Sequence, residues 1–150
     1  MIFAVTLFLS VISVSHGCEP VETTTPDSTT EPIICCAALQ VSNVTRRDPS
    51  DDTYQKCSTL TSESVTCPSD GTFTCDAPEG TNPTSIHLEF FMVTGTVVRT
   101  ESITGSPVNS LSVTVVCING VWRVPQSTGS GTSIPISSVS CSQSGSQGTC

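Results

Sequence analysis

The chain has 150 residues, with 13 acidic against five basic side chains and nine cysteines. Arg46, Arg47, Lys56, Arg99 and Arg123 are too few to build a phosphate-binding face, which argues against nucleic acid as a partner. An acidic, lysine-poor chain is also poorly suited to anionic membranes, and the length is enough for one domain with a real core.

Residues 1–17 read as a signal peptide. The apolar run 2–12 has the length of an h-region and falls short of the roughly 20 apolar residues that a spanning helix needs. Ser15 and Gly17 are small residues spaced for cleavage before Cys18, and no second apolar segment follows. The expectation is a secreted, extracellular protein without membrane insertion. Residues 18–33 are Thr/Pro-rich with little to bury, which predicts a disordered linker of the kind that carries O-glycans. Residues 34–141 are expected to form a cysteine-rich β-domain, and the polar residues 142–150 a tail.

The periodicity of the domain is that of strands. Residues 39–45 are a weak first strand. Residues 63–67 and 72–75 are short strands flanking a turn at 68–71. In 85–92, Ile86, Leu88, Phe90 and Met92 fall on one face and His87 and Glu89 on the other; 96–101 follows after Gly95. The clearest strand is 110–117, with Leu111, Val113, Val115 and Cys117 on one face. Asn119-Gly120 is a strong hairpin signal, because a tight type I′ turn needs positive φ at both central residues. The return strand 121–124 then places Trp122 opposite Cys117, sharing the buried face with Val115 and Val124. Residues 134–141 close the domain, with Pro135 pointing to a sheet edge. Short strands separated by turn signals predict an all-β fold, a disulfide-stapled antiparallel β-sandwich, Ig-like in general architecture.

The leader and the cysteines together indicate an oxidising compartment; in a cytosolic chain the same cysteines would read as metal ligands or redox groups. The disulfide candidates are Cys35, Cys36, Cys57, Cys67, Cys75, Cys117 and Cys141. Adjacent Cys35 and Cys36 have Cα atoms only about 3.8 Å apart, shorter than ordinary bridge spacing, so they are expected to reach different partners. Cys67 and Cys117 both lie on expected strands and suit an inter-sheet staple. The full pairing stays open at this level. Nine is odd, so Cys18 or Cys150 is left free or bridges another chain.

The chemistry-bearing residues are sparse. After cleavage His87 is the only histidine, and its phase beside Glu89 reads as a surface position. There is no G-x-S-x-G elbow, no H-E-x-x-H, no C-x-x-C and no phosphate-cradling glycine loop. No catalytic, metal or cofactor residue is therefore assigned. Asn43-Val44-Thr45 is an N-glycosylation acceptor, whereas Asn82-Pro83-Thr84 is blocked by its proline.

The paired cysteines after a Thr/Pro stalk, a cysteine ten residues before Val65-Thr66-Cys67, the Val115-Val116-Cys117-Ile118-Asn119-Gly120-Val121-Trp122 segment, and a closing Ile136 to Cys141 together resemble the nematode six-cysteine (C-six) extracellular domain. The resemblance spans Cys35 to Cys141 and maps the family cysteines to Cys35, Cys36, Cys57, Cys67, Cys117 and Cys141. The chain departs from the pattern in its adjacent first pair and in the extra Cys75. The resemblance implies an extracellular location and a Cys35–Cys57 bridge, and brings no activity with it. The expected function is a secreted, non-enzymatic cysteine-rich module with a structural or recognition role in a matrix or surface coat. Its expected partner is an extracellular protein or glycan. The alternative is a secreted protease inhibitor or small-ligand binder.

Overall fold

A computed structural model describes residues 34–40, 42–127, 131–148 and 150. The expected leader, the linker and Cys18 lie outside these residues. Among the described residues alternating side chains build nine strands and no helix: β1 (Thr45–Arg46), β2 (Thr59–Glu63), β3 (Asp70–Asp76), β4 (Ser85–Phe91), β5 (Val97–Thr104), β6 (Ser110–Ile118), β7 (Val121–Pro125), β8 (Ser133–Pro135) and β9 (Ser138–Ser144). They form a four-stranded sheet in the order β1-β9-β4-β5 and a five-stranded sheet in the order β2-β3-β6-β7-β8. All neighbours are antiparallel except β1 and β9. The two sheets pack as an Ig-like sandwich.

The core lies between the inner faces. Phe73 and Cys75 of β3, Val113 and Val115 of β6, and Trp122 and Val124 of β7 meet Ile86, Leu88 and Phe90 of β4 and Val139 and Cys141 of β9. Phe73 and Phe90 cross the gap as a tilted pair with centroids 6.0 Å apart, an arrangement that ring quadrupoles favour. Gly71 marks a close approach: a Cβ there would come within 2.8 Å of Leu39 and 3.1 Å of Trp122. The β6–β7 hairpin has the expected register, Cys117 opposite Trp122 and Ile118 opposite Val121. Asn119 and Gly120 have φ of 52° and 76°. Trp122 is buried, and its Nε1–H donates to Ala37 O at 3.1 Å, so the segment 34–40 covers this edge of the core.

Several sequence expectations need correction. The strand expected at 63–67 lies earlier, at β2, whose threonines face out while Leu60 packs on the core. Asp70 and Gly71 belong to β3, and Met92 sits beyond β4 in a turn, half-buried. The expected first strand at 39–45 is reduced to the two residues of β1. The segment 134–141 is two strands in different sheets. Pro135 cannot donate to a ladder, and β8 ends there at the sheet edge. The backbone then hands over: Ile136 N–H donates to Trp122 O of one sheet and Ser137 N–H to Phe91 O of the other. The polar residues after Cys141 are no free tail. β9 runs to Ser144, Ser142 and Gln143 are buried, and Gln143 accepts a hydrogen bond from Ser58 Oγ at 2.8 Å.

Four bridges close the domain: Cys35–Cys67, Cys36–Cys117, Cys57–Cys150 and Cys75–Cys141, with Cα atoms 4.8, 5.9, 5.4 and 5.5 Å apart. Adjacent Cys35 and Cys36 do reach different partners. The Cys35–Cys57 pairing implied by the family resemblance is overturned, and so is Cys67–Cys117. Cys67 leaves the sheet with φ of 51° and meets the incoming chain at Cys35. The inter-sheet staple is Cys75–Cys141, built with the cysteine that the resemblance treats as extra. Cys150 is bridged as well.

Trp122→Ala removes a buried ring that packs beside the Cys36–Cys117 bridge. It should cost about 3–5 kcal/mol, read from the denaturant midpoint at unchanged slope. A loss below about 1 kcal/mol would contradict the core position of the ring.

Candidate functional site

The outer face of β4 and β9 is the unusual surface of this domain. In a sandwich such a face normally meets water. Here every residue of β4 is buried, and so are Ser138, Ser140 and Ser142 of β9. The cover is a strap, residues 47–57, which leaves β1 and crosses the sheet. Arg47 N–H donates to Val139 O, and the Arg47 guanidinium lies 4.2 Å from the centroid of the Phe91 ring, a cation–π contact. At the far end Gln55 and Gln143 exchange backbone hydrogen bonds of 2.7 and 3.0 Å, and Cys57 is bridged to Cys150.

Two contacts fasten the middle of the strap. Ser50 N–H donates to Glu89 Oε2 at 2.8 Å, Ser50 Oγ–H donates to Glu89 Oε1, and Ser140 Oγ–H adds a third bond to Oε2 at 2.9 Å. The buried carboxylate is thus an acceptor for both the strap and β9. Four residues on, the Tyr54 ring stacks on the His87 imidazole, with centroids 4.1 Å apart and planes 7° from parallel. Between these contacts Asp51 folds the chain into an Asx turn, its Oδ1 accepting from Thr53 N and Oγ1 at 2.8 and 2.6 Å. Those bonds hold the Asp51 carboxyl below its ordinary pKa. Lys56 pairs with Asp48 at 3.0 Å across the base of the strap, but both are exposed and the pair contributes little.

His87 and Glu89 therefore lie on the outward face, as their phase requires, but they are not surface residues: 8% and 3% of their surface is accessible. Burial holds His87 below the ordinary histidine value, against the opposing pull of the Glu89 and Asp51 carboxylates. Ser85 Oγ lies 2.9 Å from His87 Nε2 and 2.5 Å from Ser144 Oγ. The first distance is that of a nucleophile and its base. Yet the ring is capped by Tyr54, and among the described residues no carboxylate hydrogen-bonds to it. What this network does chemically is hold the strap to the sheet.

Ser50, Tyr54 and Ser140 escape sequence reasoning because they come from the strap and from β9, far along the chain from β4. The legible signal is the alternation of Ser138, Ser140, Ser142 and Ser144 against Val139 and Cys141, which continues past the cysteine where the domain was expected to end. Asn43 is exposed in the turn before β1, and its Nδ2–H donates to Ala38 O at 2.7 Å. Comparison with protein-family models, with curated proteins and with solved structures found no match.

Glu89→Ala orphans the buried Ser140 hydroxyl and frees the Ser50 donors that fasten the strap, and should cost about 1–3 kcal/mol. Trypsin should then cut faster after Arg47 and Lys56, at the two ends of the strap. Unchanged stability and unchanged cleavage would mean that the strap is held elsewhere.

Proposed function

We propose that the chain is a secreted, non-enzymatic extracellular module with a structural or recognition role, presenting a bridge-fixed β-domain at the end of a Thr/Pro-rich stalk. The observation that carries this reading is the bridge pattern. Four intrachain disulfides tie every covering segment to the sandwich, a construction suited to an oxidising setting outside the cytosol. Among the described residues no helix is long and apolar enough to cross a membrane. The resemblance to the nematode C-six domain and the exposed Asn43 sequon support the same reading. The partner is an extracellular protein or glycan, met through exposed strands and loops. Across the open face of the five-stranded sheet, Thr61, Thr74 and Ser112 lie in one row and Glu63, Thr72 and Thr114 in the next, a surface fitted to polar contacts.

Expression from a eukaryotic secretory host tests this reading. The protein should appear in the medium with its amino terminus near Cys18. Asn43→Gln should lose one glycan's mass, and alkylation under denaturing, non-reducing conditions should label no more than one cysteine. Retention inside the cell with most thiols free would overturn it.

One observation favours the alternative of a protease inhibitor. Val65 is 73% exposed beside Cys67, whose bridge to Cys35 fixes the turn, and it borders an open cleft of about 260 Å³ with Glu63, Asp70 and Thr72. A small aliphatic anchor suits elastase-type serine proteases. Under this reading the protein slows such a protease and Val65→Asp abolishes the effect. No inhibition at micromolar concentration removes the alternative.

A further inference from the structure

The middle of the strap carries no ladder hydrogen bonds to the sheet beneath it. Its ends are fixed, at Arg47 by Val139 and at Gln55 and Cys57 by Gln143 and Cys150. Besides the buried Pro49, residues 48–54 are held down by two side-chain contacts, Ser50 on Glu89 and Tyr54 on His87. What they cover is polar: Glu89, Ser140 and Ser142, the last buried with no hydrogen-bond partner for its Oγ. A buried hydroxyl without a partner weakens the closed state relative to one in which water reaches it. These are the features of a segment that opens locally while the sheets stay intact.

We propose that the strap is a proton-operated lid: protonation of His87 beneath Tyr54 releases residues 48–54 and exposes the serine row of β9 with Glu89. The imidazole is enclosed by Tyr54 above and by the hydroxyls of Ser85 and Ser144 at its Nε2 edge, at 2.9 and 3.4 Å. Charge placed there loses most of its water, since 8% of the His87 surface is accessible. The titratable groups facing the ring are Asp51 and Tyr54 from the strap and Glu89 from β4. β9 offers only Ser142 and Ser144, and β5 only Ser102, opposite His87 in register. The two carboxylates favour the cation and burial disfavours it; burial is the larger effect, so the closed state prefers the neutral ring. The sign follows. With the folded value depressed, closure is fully supported above the ordinary histidine pKa and is lost as pH falls below it toward the depressed value. Opening relieves the ring of its cover, and the neighbouring Ser50–Glu89 bonds are then exposed to competition from water.

The test is NMR on the intact secreted protein between about pH 7.5 and about pH 5, on either side of the ordinary histidine value. Tyr54 is the only tyrosine and Trp122 the only tryptophan, so each reports one place. The Tyr54 ring signals and the Ser50 amide should move with the midpoint of His87 itself, below the ordinary value. Amide protection in the strap should fall about tenfold for each unit of that depression, corrected for intrinsic exchange. Trp122 should stay still. His87→Gln should remove the transition, and Glu89→Gln should retain it. Strap signals that ignore the titration of His87, or that move equally in His87→Gln, would overturn the proposal. So would a transition lost only in Glu89→Gln. If His87→Gln does not fold, Tyr54→Ala decides: the His87 midpoint should rise toward its ordinary value, and a midpoint left in place counts against the lid.

Discussion

The Cys75–Cys141 bridge is the constraint on which the rest of the arrangement depends. It joins the inner face of β3 to the inner face of β9 through the middle of the core, with both cysteines buried. Fixing Cys141 inward fixes the phase of β9. Val139 then packs on Phe90 across the ladder, and Ser140 and Ser142 must point outward, away from the core. A strand with a serine on every outward position cannot lie against an apolar layer. It needs water or a polar cover, and the strap supplies the cover. The carboxylate of Glu89 in the neighbouring strand does the same work from the sheet side, since it accepts from Ser140 and from Ser50 at once.

The open flank of the sandwich is closed by charge. On β5 the inner positions next to Phe90 and Leu88 are occupied by Arg99 and Glu101, which pair with each other. Arg99 also donates to the carbonyl of Pro125, at the end of β7 in the other sheet. Inward-facing charge on an edge strand discourages further strand addition. The same guanidinium bridges the two sheets where the apolar core runs out. Pro135 removes a donor from β8, an edge strand of the other sheet, and has a similar protective effect. Two of the four edge strands, β5 and β8, are thus managed by one to two residues each.

The parts of this fold that were legible in the sequence are those set by nearest neighbours along the chain. Asn119-Gly120 dictates the turn, the turn dictates the register, and the register puts Trp122 opposite Cys117. The alternation in β4 separates Ile86, Leu88 and Phe90 from His87 and Glu89 in the same way. What was not legible depends on residues distant in sequence. Periodicity says which face His87 occupies but not whether something lies on that face, and the strap arrives from about 35 residues upstream. The pairing of the cysteines depends on where the segment 34–40 runs, and it runs past Trp122, which no local pattern records. The break at Ile136 shows in the sequence only as a slip of phase, from Ile134 and Ile136 to Val139 and Cys141, and such a slip does not say that the chain changes sheets. The polar composition after Cys141 looked like a tail because buried serines and Gln143 have the same composition as exposed ones; only their partners differ.

The bridges and the ladders hold different things. Strand pairing and the core account for the two sheets. Of the four disulfides only Cys75–Cys141 lies within that framework. Cys36–Cys117 and Cys35–Cys67 tie down the segment that covers Trp122, and Cys57–Cys150 ties down the end of the strap. A bridge stabilises mainly by restricting the unfolded chain. In covering segments that make few ladder bonds, the same restriction also acts on local opening, because it shortens the stretch that is free to leave. Residues 48–54 are the part of the strap left between its anchors. The cover can therefore be loosened at its centre, by charge, without loosening the sandwich that positions the face beneath it.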